Sequence, residues 1–482
     1  MKLICIVSLS KNSKIFTMAI NIPSFTKINM CICGDILNII FNFLPLVNIY
    51  SIKQANRYYK KFIDTDFMLE NYVHPKANRN IIHRHRNYLK KIIICEDKEI
   101  YDDYLAGCNK LKVLDLIFGS NITNEGLKYI PNIRYLQLND NKHITNEGLK
   151  YIHNIENLNL CQNNNITDEG LKYIQNIREI SLGFNDNITD EGLKYIQNIQ
   201  KFSLHQNDDD YNDDYQYNNI TDKGLKYIPN IKSINIYNIS ITDEGLKYIQ
   251  NISSLRLSFN NNITDEGLKY IHNIKHLDLN YNNLITNDGL KYIQNIRSLS
   301  LNRNINITSD GLKYISNIEC LDLVFNQLIT DEGLKYIPNV QYLVLCFNNL
   351  VTNEGLKYIP NIRALYLKFN CNITDEGLKY IPNIQRLYLP SNTLITDEGL
   401  KYIPNIEQLF LHPNNNITDK GLKYIPNIEV LGLHSNTKIT DEGLKYIPNV
   451  KKLLLPKNTN ITEFGLKYIH NIKDINDLRR TW

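Results

Sequence analysis

The fold expected here is an α/β solenoid, with a parallel sheet on its concave side, short helices on its convex side and a small helical domain in front. Three observations predict it. A phrase close to Ile-Thr-Asp-Glu-Gly-Leu-Lys-Tyr-Ile recurs, with its glycine at 126, 148, 170, 192, 224, 245, 267, 289, 311, 333, 355, 377, 399, 421, 443 and 465. All but two of those steps are 22 residues, a period typical of units that must stack to bury their apolar faces. Before each phrase lies a Leu-x-Leu core, whose period of two marks a short strand with both leucines facing inward. Ahead of the repeats, Ile36, Leu37, Ile40, Phe41 and Leu44 are spaced to form one apolar face of a helix.

The elements follow in chain order. Residues 1–30 form an unassigned leader. Its apolar run, Leu3 to Leu9, is too short to span a membrane and is followed at once by Lys11 and Lys14. Met18 and Met30 are alternative starts. Residues 31–70 read as the helical domain. Asp35 opens its first helix and Pro45 follows the end, while Ile49, Ile52, Tyr59, Phe62 and Ile63 supply further helices. A bundle this thin has a small core and gains by covering its apolar face with a partner. Residues 71–88 read as a linker, with a basic spot at His83-Arg-His85-Arg that must pack one side into the repeats. Residues 89–110 form a degenerate capping unit, because Leu89-x-x-Ile92-x-Ile94 lies one period before Leu111-x-x-Leu114-x-Leu116. Residues 111–478 form the array.

Within a unit each residue type has a physical reason. In the copy from Ile133, the leucines Leu136 and Leu138 form the strand, and Thr145 is a helix N-cap. Asn146 and Glu147, Asp-Glu in most copies, fall in the first helical turn, where the dipole favours carboxylates. Leu149 and Ile152 turn inward on a helix of about seven residues, while Lys150 and Tyr151 face outward. Proline then stops the helix in many copies, as at Pro131 and Pro338. A column of Asn141, Asn163, Asn185, Asn260, Asn282 and Asn304, continuing to Asn458, is expected to satisfy backbone groups where each strand turns away; Gly119 and Ile239 interrupt it. The recurrent Asn-Ile-Thr sequons are by-products of this unit. An insertion at 208–217 carries five aspartates and reads as a solvated loop. At the C-terminal end Asp477 falls on an inward position, so the sheet is expected to fray there, with Leu478 and Trp482 folding over the open end.

Composition narrows the function. The net charge is +4, with 54 basic against 50 acidic side chains, so no basic field favours nucleic acid. The nine cysteines have neither paired nor zinc-ligand spacing, which points to a reducing compartment, cytoplasmic or nuclear, and not to secretion. No phosphate-binding, dinucleotide, zinc-protease or nucleophile-elbow motif is found. The expectation is a non-enzymatic protein with no cofactor, no metal and no membrane partner.

The pattern Leu-x-x-Leu-x-Leu-x-x-Asn followed by Ile-Thr-Asp-x-Gly-Leu resembles the leucine-rich repeats that accompany F-boxes, over residues 89–478. It departs from them in carrying Ile-Pro-Asn-Ile where they have a Cys-Pro segment, and Asn where they have a second Cys. Residues 32–62 resemble the F-box itself. Ile32-Cys33-Gly34-Asp35-Ile36-Leu37 and Ile40-Phe41-x-x-Leu44 match its spacing, with Cys33 in place of the family's proline. The resemblance implies a substrate receptor of a cullin-RING ubiquitin ligase. Ile32, Ile36, Leu37, Ile40, Phe41 and Leu44 would dock a Skp-type adaptor, and the repeats would hold a protein substrate. The alternative is an interaction scaffold or partner-clasping regulator with no ligase link.

The substrate surface is read from the strand residue between the two core positions. Its series begins Asp115, Gln137, Asn159 and stays polar through Asp322, then turns to Val344, Tyr366, Tyr388 and Phe410. Strands about 4.8 Å apart make these aromatics a strip. Val324, Tyr342, Cys346 and Arg386 flank it. Aromatics and arginine are enriched in interface cores, so Val324, Tyr342, Val344, Tyr366, Arg386, Tyr388 and Phe410 are the candidate substrate-binding residues.

Overall fold

The computed structural model describes residues 2–8, 15–21 and 71–74, and residues 79–477 except 95–98, 117–119, 184, 205–218, 237–239, 258–259, 368–371, 390–393, 412–415, 434–437, 456–458 and 471–473. The chain divides into two units, Met1–Asn185 and Asp186–Trp482. In the first, Lys2–Ser8 pairs antiparallel with Ile15–Asn21. A parallel sheet then runs through Asn71–His74, Lys91–Ile94, Val113–Leu116, Tyr135–Leu138, Asn157–Asn159 and Glu179–Ser181. In the second, a parallel sheet runs in chain order from Lys201–Ser203 to Asp474–Asp477. Register is kept by the repeat: Leu277 faces Leu299, which faces Leu321.

The leucines and isoleucines at the repeating core positions are inward. In the unit around Leu277, the side chains of Leu279, Ile285, Leu290, Ile293 and Ile296 are at most 1% exposed. Threonine caps each short helix in most copies; Thr264 Oγ1, for example, accepts from Glu266 N at 3.2 Å. The helices are shorter than the seven residues expected. Most span four, as in Asp265–Leu268. After the leucine the chain tightens into turns with three-residue spacing: Ile293 N donates to Leu290 O and Ile296 N to Ile293 O. The coil therefore ends before the proline is reached.

The phrase Thr-Asp-Glu-Gly also links neighbouring repeats. Asp243 Oδ1 accepts from Thr264 N at 2.9 Å, and its Oδ2 from Thr264 Oγ1 at 2.6 Å. The aspartate expected to answer the helix dipole thus reaches one repeat forward and holds the next N-cap. Where asparagine replaces it the bracket persists, with Asn287 Nδ2 donating to Thr308 Oγ1 at 2.8 Å. The following glycine makes room for it: a Cβ on Gly267 would lie 2.9 Å from Asp243 Cγ. On the helix side, Lys269 Nζ pairs with Glu266 at 2.5 Å and sits 5.2 Å from the Tyr292 ring of the next repeat.

The asparagine column is buried at Asn141, Asn163, Asn185, Asn260, Asn282, Asn304, Asn326 and Asn348, none more than 1% exposed. Asn304 Nδ2 donates to Asn282 O at 2.7 Å and Ile285 O at 2.9 Å, while its Oδ1 accepts from Asn306 N at 2.9 Å. The later members, the interruptions at Gly119 and Ile239, and the acidic insertion lie outside the described residues.

Two expectations are corrected. The stretch 71–88, read as a linker, holds the strand Asn71–His74, in parallel register with Lys91–Ile94, and a helix, Arg79–His85. Four residues carry no repeat pattern, yet the open edge of Lys91–Ile94 offers backbone groups that an extended segment can satisfy. The last strand does not stop short of Asp477, which pairs with Leu455. Its backbone keeps the ladder whatever side chain it carries. Leu478 and Trp482 lie outside the described residues.

Candidate functional site

In the second unit the open face of the sheet changes character along the chain. Its earlier part is a polar network. Arg256 Nε lies 3.0 Å from Asp278 Oδ2, and Asn280 N donates to Asp278 Oδ1. Asn280 Oδ1 accepts from Ser300 Oγ at 2.7 Å and Asn302 N at 2.9 Å. Asn302 Nδ2 donates to Asp322 Oδ2 at 3.0 Å, and its Oδ1 accepts from Val324 N at 2.9 Å. Burial pushes the Asp322 carboxyl up to about 6, against the lowering effect of its hydrogen bond from Asn302.

The strand register then brings Tyr342, Tyr366, Tyr388 and Phe410 together. Tyr388 stacks on Tyr366 at 4.0 Å between centroids and on Phe410 at 4.1 Å. Tyr342 meets Tyr366 at 5.1 Å in a tilted pair. The two closer pairs are near-parallel, with interplanar angles of 16° and 7°. Burial is the main cause that pushes the Tyr366 phenol up to about 12, followed by a hydrogen bond with Tyr342. Tyr388 is raised for the same reasons, through Tyr366. The hydroxyls are therefore neutral at ordinary pH. Beyond Phe410 the face is cleared by Gly432, where a Cβ would meet Phe410 Cδ1 at 2.5 Å.

Of the seven candidate residues, Tyr342, Tyr366, Tyr388, Phe410 and Val324 are half-buried and Arg386 is exposed. Val344 is only 7% exposed and offers a ligand little; it pairs in register with Tyr366. The adaptor-docking residues Ile32, Ile36, Leu37, Ile40, Phe41 and Leu44 lie outside the described residues.

A second stack escaped the strand-based reading. Tyr281, Arg303, Phe325 and Phe347 sit one period apart in the turn after each strand, all with φ between 61° and 64°. The Arg303 guanidinium lies 4.9 Å from the ring centroids of both Tyr281 and Phe325. Phe325 stacks on Phe347 at 4.1 Å. The signal that could have found them is the 22-residue column itself, one position before the buried asparagine.

At the other ends of the strands lies a polar trough of about 1130 Å³. Its charged lining balances, with Lys275, Arg297 and Arg363 against Glu319, Glu407 and Glu429. Arg297 pairs with Glu319, and Gln385 donates to Glu407. Among the described residues no group of three or more histidine, cysteine or acidic side chains is placed to hold a metal, and no helix is long and apolar enough to cross a membrane. Burial raises the Cys108 thiol to about 11, against the pull of Arg86, so it stays protonated and is a poor nucleophile.

Comparison with known proteins agrees with this architecture. Residues 129–152, 153–175, 173–196, 248–271, 270–293, 314–337 and 358–382 match the family described as Leucine Rich repeat, and none of these segments falls in 31–70. The fold is a leucine-rich-repeat solenoid. No curated protein matches the chain. Among solved structures, the crystal structure of the TLR13-ssRNA13 complex is similar at a TM-score of 0.51 and 17% identity, over 81% of this chain and 62% of that one, so this chain spans less than two thirds of it. A Leptospira interrogans LRR protein is similar at a TM-score of 0.48 and 20% identity, over 71% of this chain and 96% of that one. At 17% identity the likeness to the first of these structures is one of fold alone.

Proposed function

We propose that this chain is a non-enzymatic scaffold that captures a segment of a protein partner on the open face of its second unit, with Tyr342, Tyr366, Tyr388 and Phe410 as the principal contacts. The observation that carries the reading is the stack itself: rings 4.0–5.1 Å apart on a face that no other element of the described unit covers. Packed aromatics at the centre of a patch dominate interface energetics, and pre-stacked rings lose little freedom on binding. The trough at the opposite strand ends is largely self-neutralised and makes a weaker claim. The RNA in the TLR13 structure is that protein's ligand; the balanced charge here favours a protein. The test is selection of displayed random peptides on the full chain. Peptides enriched on the native chain should be lost when Tyr366, Tyr388 and Phe410 are all changed to serine, with cooperative thermal unfolding retained. Equal enrichment on both would reject the strip.

The finer reading makes the scaffold a substrate receptor of a cullin-RING ubiquitin ligase, acting in the cytoplasm or nucleus. It is supported by the apolar spacing of Ile32, Ile36, Leu37, Ile40, Phe41 and Leu44 ahead of the repeats. A Skp-type adaptor should then be pulled down by the native chain and released when Ile36, Phe41 and Leu44 are changed to aspartate. Retention by that variant would reject the docking face, and no capture by the native chain would leave the plain scaffold.

A further inference from the structure

We propose that Arg303, held between Tyr281 and Phe325, is a carboxylate-reading fork, and that the partner segment is acidic: it presents an Asp or Glu side chain to Arg303 and apolar groups to Phe325, Phe347 and the tyrosine strip. This rests on the reading that the open face holds a protein segment. The geometry is specific. Both faces of the guanidinium are occupied by rings at 4.9 Å, so the only direction left for its N–H donors is in its own plane. Stacking removes rotamer freedom before a ligand arrives, which suits an arginine to bidentate pairing. The turn backbone fixes the site: Tyr281 N donates to Asn302 O, Arg303 N to Val324 O and Phe325 N to Cys346 O, at 2.8, 2.8 and 3.0 Å.

Charge identifies the ligand. Arg303 is exposed, and the contacts of its side chain among the described residues are with the two rings and not with a carboxylate. The four successive turns 280–284, 302–306, 324–328 and 346–350 contain no other charged residue. Among the described residues, therefore, no intramolecular ion pair explains the arginine. A phosphate group carries about −1.5 to −2 charges and is usually read by clustered arginines. One isolated fork complements one carboxylate. The strip continues the same surface. Cys346, which leads into Phe347, follows the strand paired with the one that holds Tyr366, and Val324, which leads into Phe325, follows the strand one step further back. From the strand before Arg303 to that of Phe410 is five strand steps, about 24 Å, a span that an extended segment of seven or eight residues covers.

The test repeats the peptide selection on the native chain, on Arg303→Gln and on the triple serine variant. Asp or Glu should be enriched at a fixed distance from an aromatic or aliphatic residue on the native chain, and that acidic preference alone should vanish on Arg303→Gln. A selected peptide resynthesised with Gln for its acid should bind the native chain about tenfold or more weakly, and Arg303→Lys should recover only part of the difference. An acidic preference that survives Arg303→Gln, or aromatic enrichment with no acidic preference, overturns the inference while leaving the strip intact. An acidic preference that depends on Arg303 but not on the three aromatics supports the fork and rejects the strip. Tighter binding of a phosphoserine peptide than of its Glu form overturns the choice of carboxylate, and no enrichment on any form overturns both readings.

Discussion

Changing Gly267 to alanine should destabilise the chain, yet the same change should be harmless once Asp243 is gone. The added Cβ would overlap Asp243 Oδ1, lie 2.9 Å from its Cγ and touch Leu246 Cδ1 at 3.2 Å. A terminal carboxylate can often swing aside, but this one is held by Thr264 N at 2.9 Å and Thr264 Oγ1 at 2.6 Å. Hydrogen bonds to a charged group contribute about 1.5–3 kcal/mol each. Losing both costs about 3–6 kcal/mol, and alanine's better helix propensity returns about 1 kcal/mol. The expected net loss is about 2–5 kcal/mol. Asp243→Ala should itself cost about as much as the lost bonds, and in that background Gly267→Ala should stabilise slightly. The assay is urea unfolding at neutral pH of the four chains in the cycle, with m-values compared to confirm that the same surface unfolds. If Gly267→Ala costs the same in both backgrounds, within about 0.5 kcal/mol, the bracket is not what the glycine accommodates and the reasoning fails.

Other predictions follow from the buried polar groups. Asn304→Asp keeps the shape but aims an oxygen at the carbonyls of Asn282 and Ile285; at pH 7 it should cost about 3–5 kcal/mol in urea unfolding, and a loss below about 1 kcal/mol would deny the column its structural role. Asp322 binds its proton more tightly folded than unfolded, since its pKa is raised from 3.8 to about 6. Its contribution to stability is therefore greatest at low pH, declines as pH rises through the interval between those values, and leaves a deficit of at most about 3 kcal/mol above it. Asp322→Asn should be more stable than the native chain at pH 7 and should lose that part of the pH dependence; a less stable variant at pH 7 would refute burial as the cause.

The core was legible because Leu and Ile recur at fixed offsets, and periodicity reports which face is inward. Thr264 as a cap and Asn304 as a satisfier of turns were legible for the same reason: each acts largely within or beside its own unit. Asp243 was misread in part. Its partner lies 21 residues on, and an acid in a first helical turn already has a sufficient local explanation in the dipole. The Tyr342–Phe410 strip could be placed because strand register converts the repeat length into adjacency. The Arg303 stack could not be placed by that logic, since its members lie past the strands in left-handed turns, where alternation no longer says which way a side chain points. Residues 71–74 join the sheet by backbone pairing, which leaves no mark on side-chain pattern.

These assignments bear on where binding can reside. In a repeat such as that around Leu277 to Lys291, Leu277, Leu279, Ile285 and Leu290 fill the core, Asn282 holds the turn, Thr286 caps, Gly289 clears space and Lys291 pairs with Asp288. Each of those positions is constrained by its neighbours, and each is nearly uniform along the chain. The open-face strand residues and the left-handed turn residue are held to no such uniform pattern. They are also the positions whose chemistry changes from copy to copy: Asp278, Ser300, Asp322, Val344, Tyr366, Tyr388 and Phe410 on the face, and Tyr281, Arg303, Phe325 and Phe347 in the turns. Stacking requires sameness only where repeats touch, so residues that differ there can also answer to something outside the chain. In the second unit both variable columns become aromatic over adjoining strands, and this is where a partner gains the most contact for the least reordering.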